Sequence, residues 1–177
     1  MAVTRNASFS SSLSFNETTT YGDQTQTEKY FLSDSISIPS GTGGTPTNYF
    51  NSYAKSTGTL AAGIGMTMNF YGLSHQSITG VDVTRQFTHI NAFYFEPTSA
   101  TGITDTFIMR ASGADAFTNL FYGGSGGPDG HPVRAYSPFA HTNYYGTEVT
   151  AFNKFIQIHN SGTGNLDYKY MAVGFTG

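Results

Sequence analysis

The sequence predicts an all-β fold: a β-sandwich or jelly-roll-like domain of about eight strands, with an extended N-terminal arm. Three observations predict it. Aromatic residues make up 15% of the chain, as 15 Phe and 12 Tyr with no Trp, and both are strand formers that bury large areas. Charged residues amount to only 11%, less than half the usual quarter, so the Glu and Lys that favour helices are scarce. Their place is taken by Ser, Thr, Asn and 21 Gly, and short apolar–polar alternations recur between these turn-forming clusters.

A chain of 177 residues suffices for one domain with a real core and is short of two. Residues 1–27 read as an N-terminal arm or edge strand and residues 28–177 as the sandwich domain. In the arm, Ser8–Phe15 alternates through Phe9, Leu13 and Phe15, which predicts one strand ordered against a neighbour; a frayed tail is the competing reading. Glu28–Ile38 is the first firm strand, closed by Pro39-Ser40-Gly41, and a Gly/Thr loop follows at 41–46. Tyr49, Phe50 and Tyr53 form an aromatic cluster with no assigned element. Leu60–Ile64 has helical flavour, but Gly58, Gly63 and Gly65 argue against a helix. Strands are predicted at Gly65–Tyr71, at Thr88–Glu96 before Pro97, and at Asp105–Ala111. Residues 112–130 form a Gly-rich loop, and Val133–Tyr136 is a short strand. Asn153–Asn160 and Leu166–Phe175 close the chain, joined by Ser161-Gly162-Thr163-Gly164-Asn165, which reads as a hairpin turn.

The sequence also echoes itself. Shifted by 62 residues, Ile90–Ser112 lies over Phe152–Gly174 without a gap, matching Asn91 to Asn153, Phe93 to Phe155, Ser99 to Ser161, Thr101 to Thr163, Gly102 to Gly164, Asp105 to Asp167 and Met109 to Met171. Both segments read as strand, turn, Asp, strand, which predicts two similar hairpins, one in each sheet. Shared composition bias is the alternative source of the match, and in either case the echo describes scaffold.

Little in the chain asks for catalysis. His75, His89, His131, His141 and His159 show no HxH or HExxH spacing, and the 11 carboxylates are dispersed. Ser125 lies within Gly123–Gly127 but lacks the strand-to-helix setting of a nucleophile elbow. Phosphate-cradling and calcium-loop motifs are absent. With no Cys there is neither a disulfide nor a thiolate metal site. The expectation is therefore no enzyme, no catalytic residue, no cofactor and no metal. The net charge is −3, and the eight basic residues stand singly, which speaks against nucleic acid as a partner. No apolar leader or membrane span is seen, so synthesis in a cytoplasm is expected, and the two glycosylation sequons at Asn6 and Asn16 are read as chance matches.

What remains is surface. Phe9, Leu13 and Phe15 are candidates for pairing the arm with a neighbour's sheet edge. Tyr144 and Tyr145 are candidates for a contact site, because Asn143 and Gly146 place them in an expected loop and exposed Tyr supplies rigid contact area.

The closing stretch Phe155–Tyr170, a strand ending in Asn160, a Ser/Thr/Gly turn and a returning apolar strand, resembles a pattern found in small structural proteins of tailed bacteriophages, and Thr88–Met109 looks like a weaker copy. The resemblance covers about a third of the chain. It implies a virion protein of the capsid cement or decoration type, made in the host cytoplasm, with the major capsid protein or other virion proteins as partners. It carries over no catalytic residues, and a homo-oligomer, trimer or dimer, agrees with it. The alternative is a receptor- or carbohydrate-binding β-sandwich module using Tyr144, Tyr145 and the 123–130 loop.

Overall fold

The computed structural model describes residues 6–21, 24–39, 50, 52–76, 82–99, 106–111, 113–121, 130–134 and 138–176. Two four-stranded antiparallel sheets face each other. The first has the order β10-β7-β12-β3, built from Phe139–Glu148, His89–Pro97, Leu166–Phe175 and Ser52–Leu60; the second has the order β4-β11-β8-β9, built from Gly65–Asn69, Phe155–Asn160, Thr106–Ala111 and His131–Arg134. Numbered along the chain, these orders are those of a jelly roll, in which consecutive strands mostly change sheet. The expected all-β sandwich is thus the observed architecture.

Alternation creates the core. In β7 the inward residues Phe93, Phe95 and Pro97 are buried while Ala92, Tyr94 and Glu96 are half-buried on the other face. Phe93 and Phe95 meet Phe107, Met109, Ile156 and Ile158 of the opposite sheet in one cluster. Phe95 packs edge-on to Phe107 at 5.3 Å and stacks on Tyr168 at 5.4 Å. Each such fully buried side chain contributes about 1.5–3 kcal/mol from area alone. A smaller cluster on the outer face joins Phe50, Tyr53, Ala92 and Val173. Between β4 and β7 the chain inserts a 3-10 turn, Phe70–Gly72, and a small hairpin, β5 at Leu73–Gln76 and β6 at Asp82–Arg85.

The N-terminal region is a ribbon. β1, Asn6–Tyr21, and β2, Gln24–Pro39, pair along their full length as a two-stranded sheet of their own. The boundary expected at 27/28 falls inside β2. The register brings Phe9 opposite Ile36, Leu13 opposite Leu32 and Phe15 opposite Tyr30.

One local expectation is corrected. The echoing segments are not hairpins. Each crosses between sheets, β7 to β8 and β11 to β12, and the two lie antiparallel on one another, β7 against β12 and β8 against β11. A Ser/Gly turn fixes a reversal of direction but not which sheet receives the next strand. The shared serines brace the crossovers: Ser99 Oγ accepts the Asp167 N–H at 2.7 Å, while the Ser161 hydroxyl and N–H both donate to the Thr106 carbonyl at 2.8 and 2.9 Å. As its glycines argue, Leu60–Ile64 is no helix: Leu60 ends β3, and a turn closed by Ile64 N–H on the Ala61 carbonyl at 3.1 Å leads into β4.

Candidate interaction surface

Tyr144 and Tyr145 lie within β10, not in a loop between strands. They sit where its register against β7 shifts between Thr142 and Thr147. Local sequence builds this bulge. Asn143 Oδ1 accepts the Tyr145 N–H at 3.1 Å, and Asn143 Nδ2 donates to the Gly146 carbonyl and to Thr147 Oγ1, each at 3.3 Å. Gly146 has φ of +79°, and a Cβ there would press on His89, so the position favours glycine on two counts. From beneath, Asn91 Nδ2 donates to the Asn143 carbonyl at 3.4 Å, and His141 Nε2 lies 2.9 Å from Thr147 Oγ1. The outcome is a braced bulge that holds Tyr145 out, 70% exposed. Nearby, the turn Thr150–Asn153 presents Phe152 at 80% exposure.

Beside the bulge, an open cavity of about 460 Å³ lies between the edge strands β9 and β10. Leu120, Phe121, Phe139, His131, His141 and Thr142 line it, together with Gly130, the last residue of the Gly-rich loop. The His131 ring meets Phe139 edge-on at 5.3 Å. His141 is buried, and burial holds its imidazole below the ordinary histidine range. Burial lowers His89 too, against an opposing pull from Glu148. Both rings are therefore biased to the neutral form.

The outer face of the first sheet carries one polar network. Lys169 Nζ lies 2.7 Å from Glu96 Oε2, and the Tyr94 hydroxyl donates to the same oxygen at 2.7 Å. The Lys169 contact holds the Glu96 carboxyl below its usual range, while burial and the Glu96 contact push the Tyr94 phenol up to about 12. Among the described residues no three His, Asp or Glu side chains converge as a metal ion needs. His75 packs edge-on to Tyr53 at 4.8 Å and accepts the Lys55 N–H at 3.3 Å, and His159 lies half-buried on β11.

Of the five residues singled out from sequence, Phe9, Leu13 and Phe15 lie on β1 opposite Ile36, Leu32 and Tyr30 of β2, and Tyr144 and Tyr145 lie together on the β10 bulge. The cavity was not foreseen. Its lining comes from three separated segments, and only the Gly-rich stretch ending at Gly130 stood out in the sequence. Residues 122–129 lie outside the described residues. No helix among the described residues is long and apolar enough to cross a membrane. Comparison with protein families, curated proteins and solved structures gives no match.

Proposed function

We propose that the chain is a virion structural protein of the cement or decoration type, which stabilises a phage head through contacts with the major capsid protein or other virion proteins. The observation that carries this reading is the combination of a jelly-roll strand order with a long ribbon belonging to neither sheet of the sandwich. Jelly rolls recur in viral capsid proteins, although a fold by itself names no function. The ribbon has 16 residues per strand, is on the order of 50 Å long and pairs Phe9 with Ile36 and Leu13 with Leu32, a reach and an apolar content suited to lying against a neighbouring subunit. The test is mass spectrometry and immunogold labelling of purified particles from the virus that carries the coding sequence, followed by co-sedimentation with heads stripped of the protein. The full chain is expected to rebind and a chain lacking residues 1–27 to rebind weakly. Absence from particles would sink the reading, and rebinding without residues 1–27 would remove the ribbon from it.

A second reading, a receptor- or carbohydrate-binding module, is favoured by one observation. The cavity is lined by Gly130, which ends the Gly-rich stretch, and by Phe139–Thr142 of β10, the strand that carries Tyr145. A glycan array with the full chain and Tyr145→Ala tests it, and binding that Tyr145→Ala leaves unchanged would count against it.

A further inference from the structure

We infer that two copies of the chain pair edge to edge through β4, joining their second sheets into one continuous sheet across a two-fold axis near Thr67. The inference does not depend on the virion reading and begins from how each sheet edge is finished.

A sandwich of two open sheets has four outer strands, here β10, β3, β9 and β4. An unprotected outer strand is a template for another chain. Three of the four are blocked. β10 is broken by its bulge at 142–147. β9 is only four residues long and contains Pro132, which cannot donate to a ladder. β3 has its outward Lys55 N–H taken by His75 of the adjacent hairpin and carries the Lys55 charge.

β4 has none of these devices. Gly65-Met66-Thr67-Met68-Asn69 lacks charge and Pro, and its register against β11 runs without a bulge. At its two ends, Asn160 N–H donates to the Ile64 carbonyl at 2.9 Å and Phe70 N–H to the Lys154 carbonyl at 3.0 Å. In an antiparallel ladder the bonded residues alternate, so 64, 66, 68 and 70 face β11. The N–H and C=O groups of Gly65, Thr67 and Asn69 therefore point outward. Gly65 and Thr67 are exposed, and among the described residues no backbone partner meets their outer side.

The occupant is a second copy because the edge complements itself. An antiparallel two-fold at Thr67 sets Thr67 against the partner's Thr67 and Gly65 against the partner's Asn69. Each facing pair is outward-pointing on both strands and exchanges two hydrogen bonds. With no charge on either strand, like meets like without repulsion. The inward row then brings Met66, half-buried at the rim of the core, beside the partner's Met68. Two of the exposed large apolar residues flank this strand, Ile64 at 53% and Tyr71 at 40%. The same register carries Ile64 of one copy toward Tyr71 of the other, covering both. A symmetric pairing of this kind closes at two.

The natural chain has no cysteine, which permits a clean test. Facing residues of a bonded antiparallel pair have Cα atoms about 5.5 Å apart, within disulfide range. Under mild oxidation the full chain carrying Thr67→Cys should form a covalent species of twice the 19.0 kDa chain mass, at least about tenfold faster than Met171→Cys, which is also exposed but lies on the first sheet. Light scattering should give a dimer for the natural chain and a monomer for Thr67→Lys, which sets two cations against each other on the axis, with the thermal midpoint of the Thr67→Lys monomer showing that it folds. The inference is overturned by a natural chain that scatters as a monomer or trimer, by cross-linking no faster than at Met171→Cys, or by a dimer that Thr67→Lys leaves intact.

Discussion

The ribbon and the sandwich are written in the same alphabet and meet different fates. In both, apolar residues stand an even number of positions apart, as Phe9, Leu13 and Phe15 do in β1 and Phe93 and Phe95 in β7. In the sandwich a second sheet stands opposite, and Phe93 and Phe95 are buried to 1% exposure or less. The ribbon is a two-stranded sheet of its own, and two strands gain independent stability only when something packs against them. Alternation decides which face is apolar. Burial depends on a second layer, which the pattern within one strand does not encode.

The sharpest way to probe this contrast is to empty the sandwich. Phe95→Ala removes the ring between Phe107 and Tyr168 and should cost about 3–5 kcal/mol in denaturant unfolding followed by circular dichroism. Next comes Asn160→Ala. Asn160 is fully buried, donates to the Leu60 and Gly164 carbonyls at 2.9 Å each and accepts the Gly162 N–H at 2.9 Å. Orphaning these groups should cost about 2–3 kcal/mol in the same assay.

A smaller, pH-dependent effect follows from His141. Its folded pKa lies below the ordinary value of 6.5, so as the pH falls the unfolded chain takes up the proton first. The stability it contributes is present above about pH 6.5 and is lost as the pH drops through its lowered folded value. The thermal midpoint should fall between pH 7 and pH 5, and His141→Gln should shrink that fall even though it lowers the midpoint at pH 7; an unchanged slope would assign the acid loss to other groups. At the bottom of the scale, combining Phe9→Ser, Leu13→Ser and Phe15→Ser should leave the main unfolding transition within about 0.5 kcal/mol. A large shift there would mean that the ribbon is covered by its own sandwich and shares its stability.

Much of this fold is legible in the sequence wherever alternation runs unbroken. Leu166–Phe175 is read with the bounds it has in the structure, β7 is displaced by one residue at both ends, and β8 by one residue at its start. β10 escapes because its bulge breaks the alternation: Asn143 and Gly146 signal a turn, and they do make one, but inside a strand. β5 and β6 are four residues each, too short for a period to show. The Ser161–Asn165 turn is visible, but its destination in the other sheet is not. Of the candidate surface, the exposure of Tyr145 follows from its flanking residues, whereas the cavity depends on β9, β10 and Leu120–Phe121 meeting in space.

The position of β12 has a consequence for how the protein is made. The last strand along the chain lies inside the first sheet, paired with β7 on one side and with β3 on the other, where Leu166 faces Leu60. Contacts spanning more than a hundred residues must close before that sheet exists, and such topologies fold slowly. While the nascent chain is still being synthesised, β3 and β7 have no central strand to join. The complete first sheet must wait for the polypeptide to be extended past Phe175, and until then Phe93 and Phe95 lack part of their native cover.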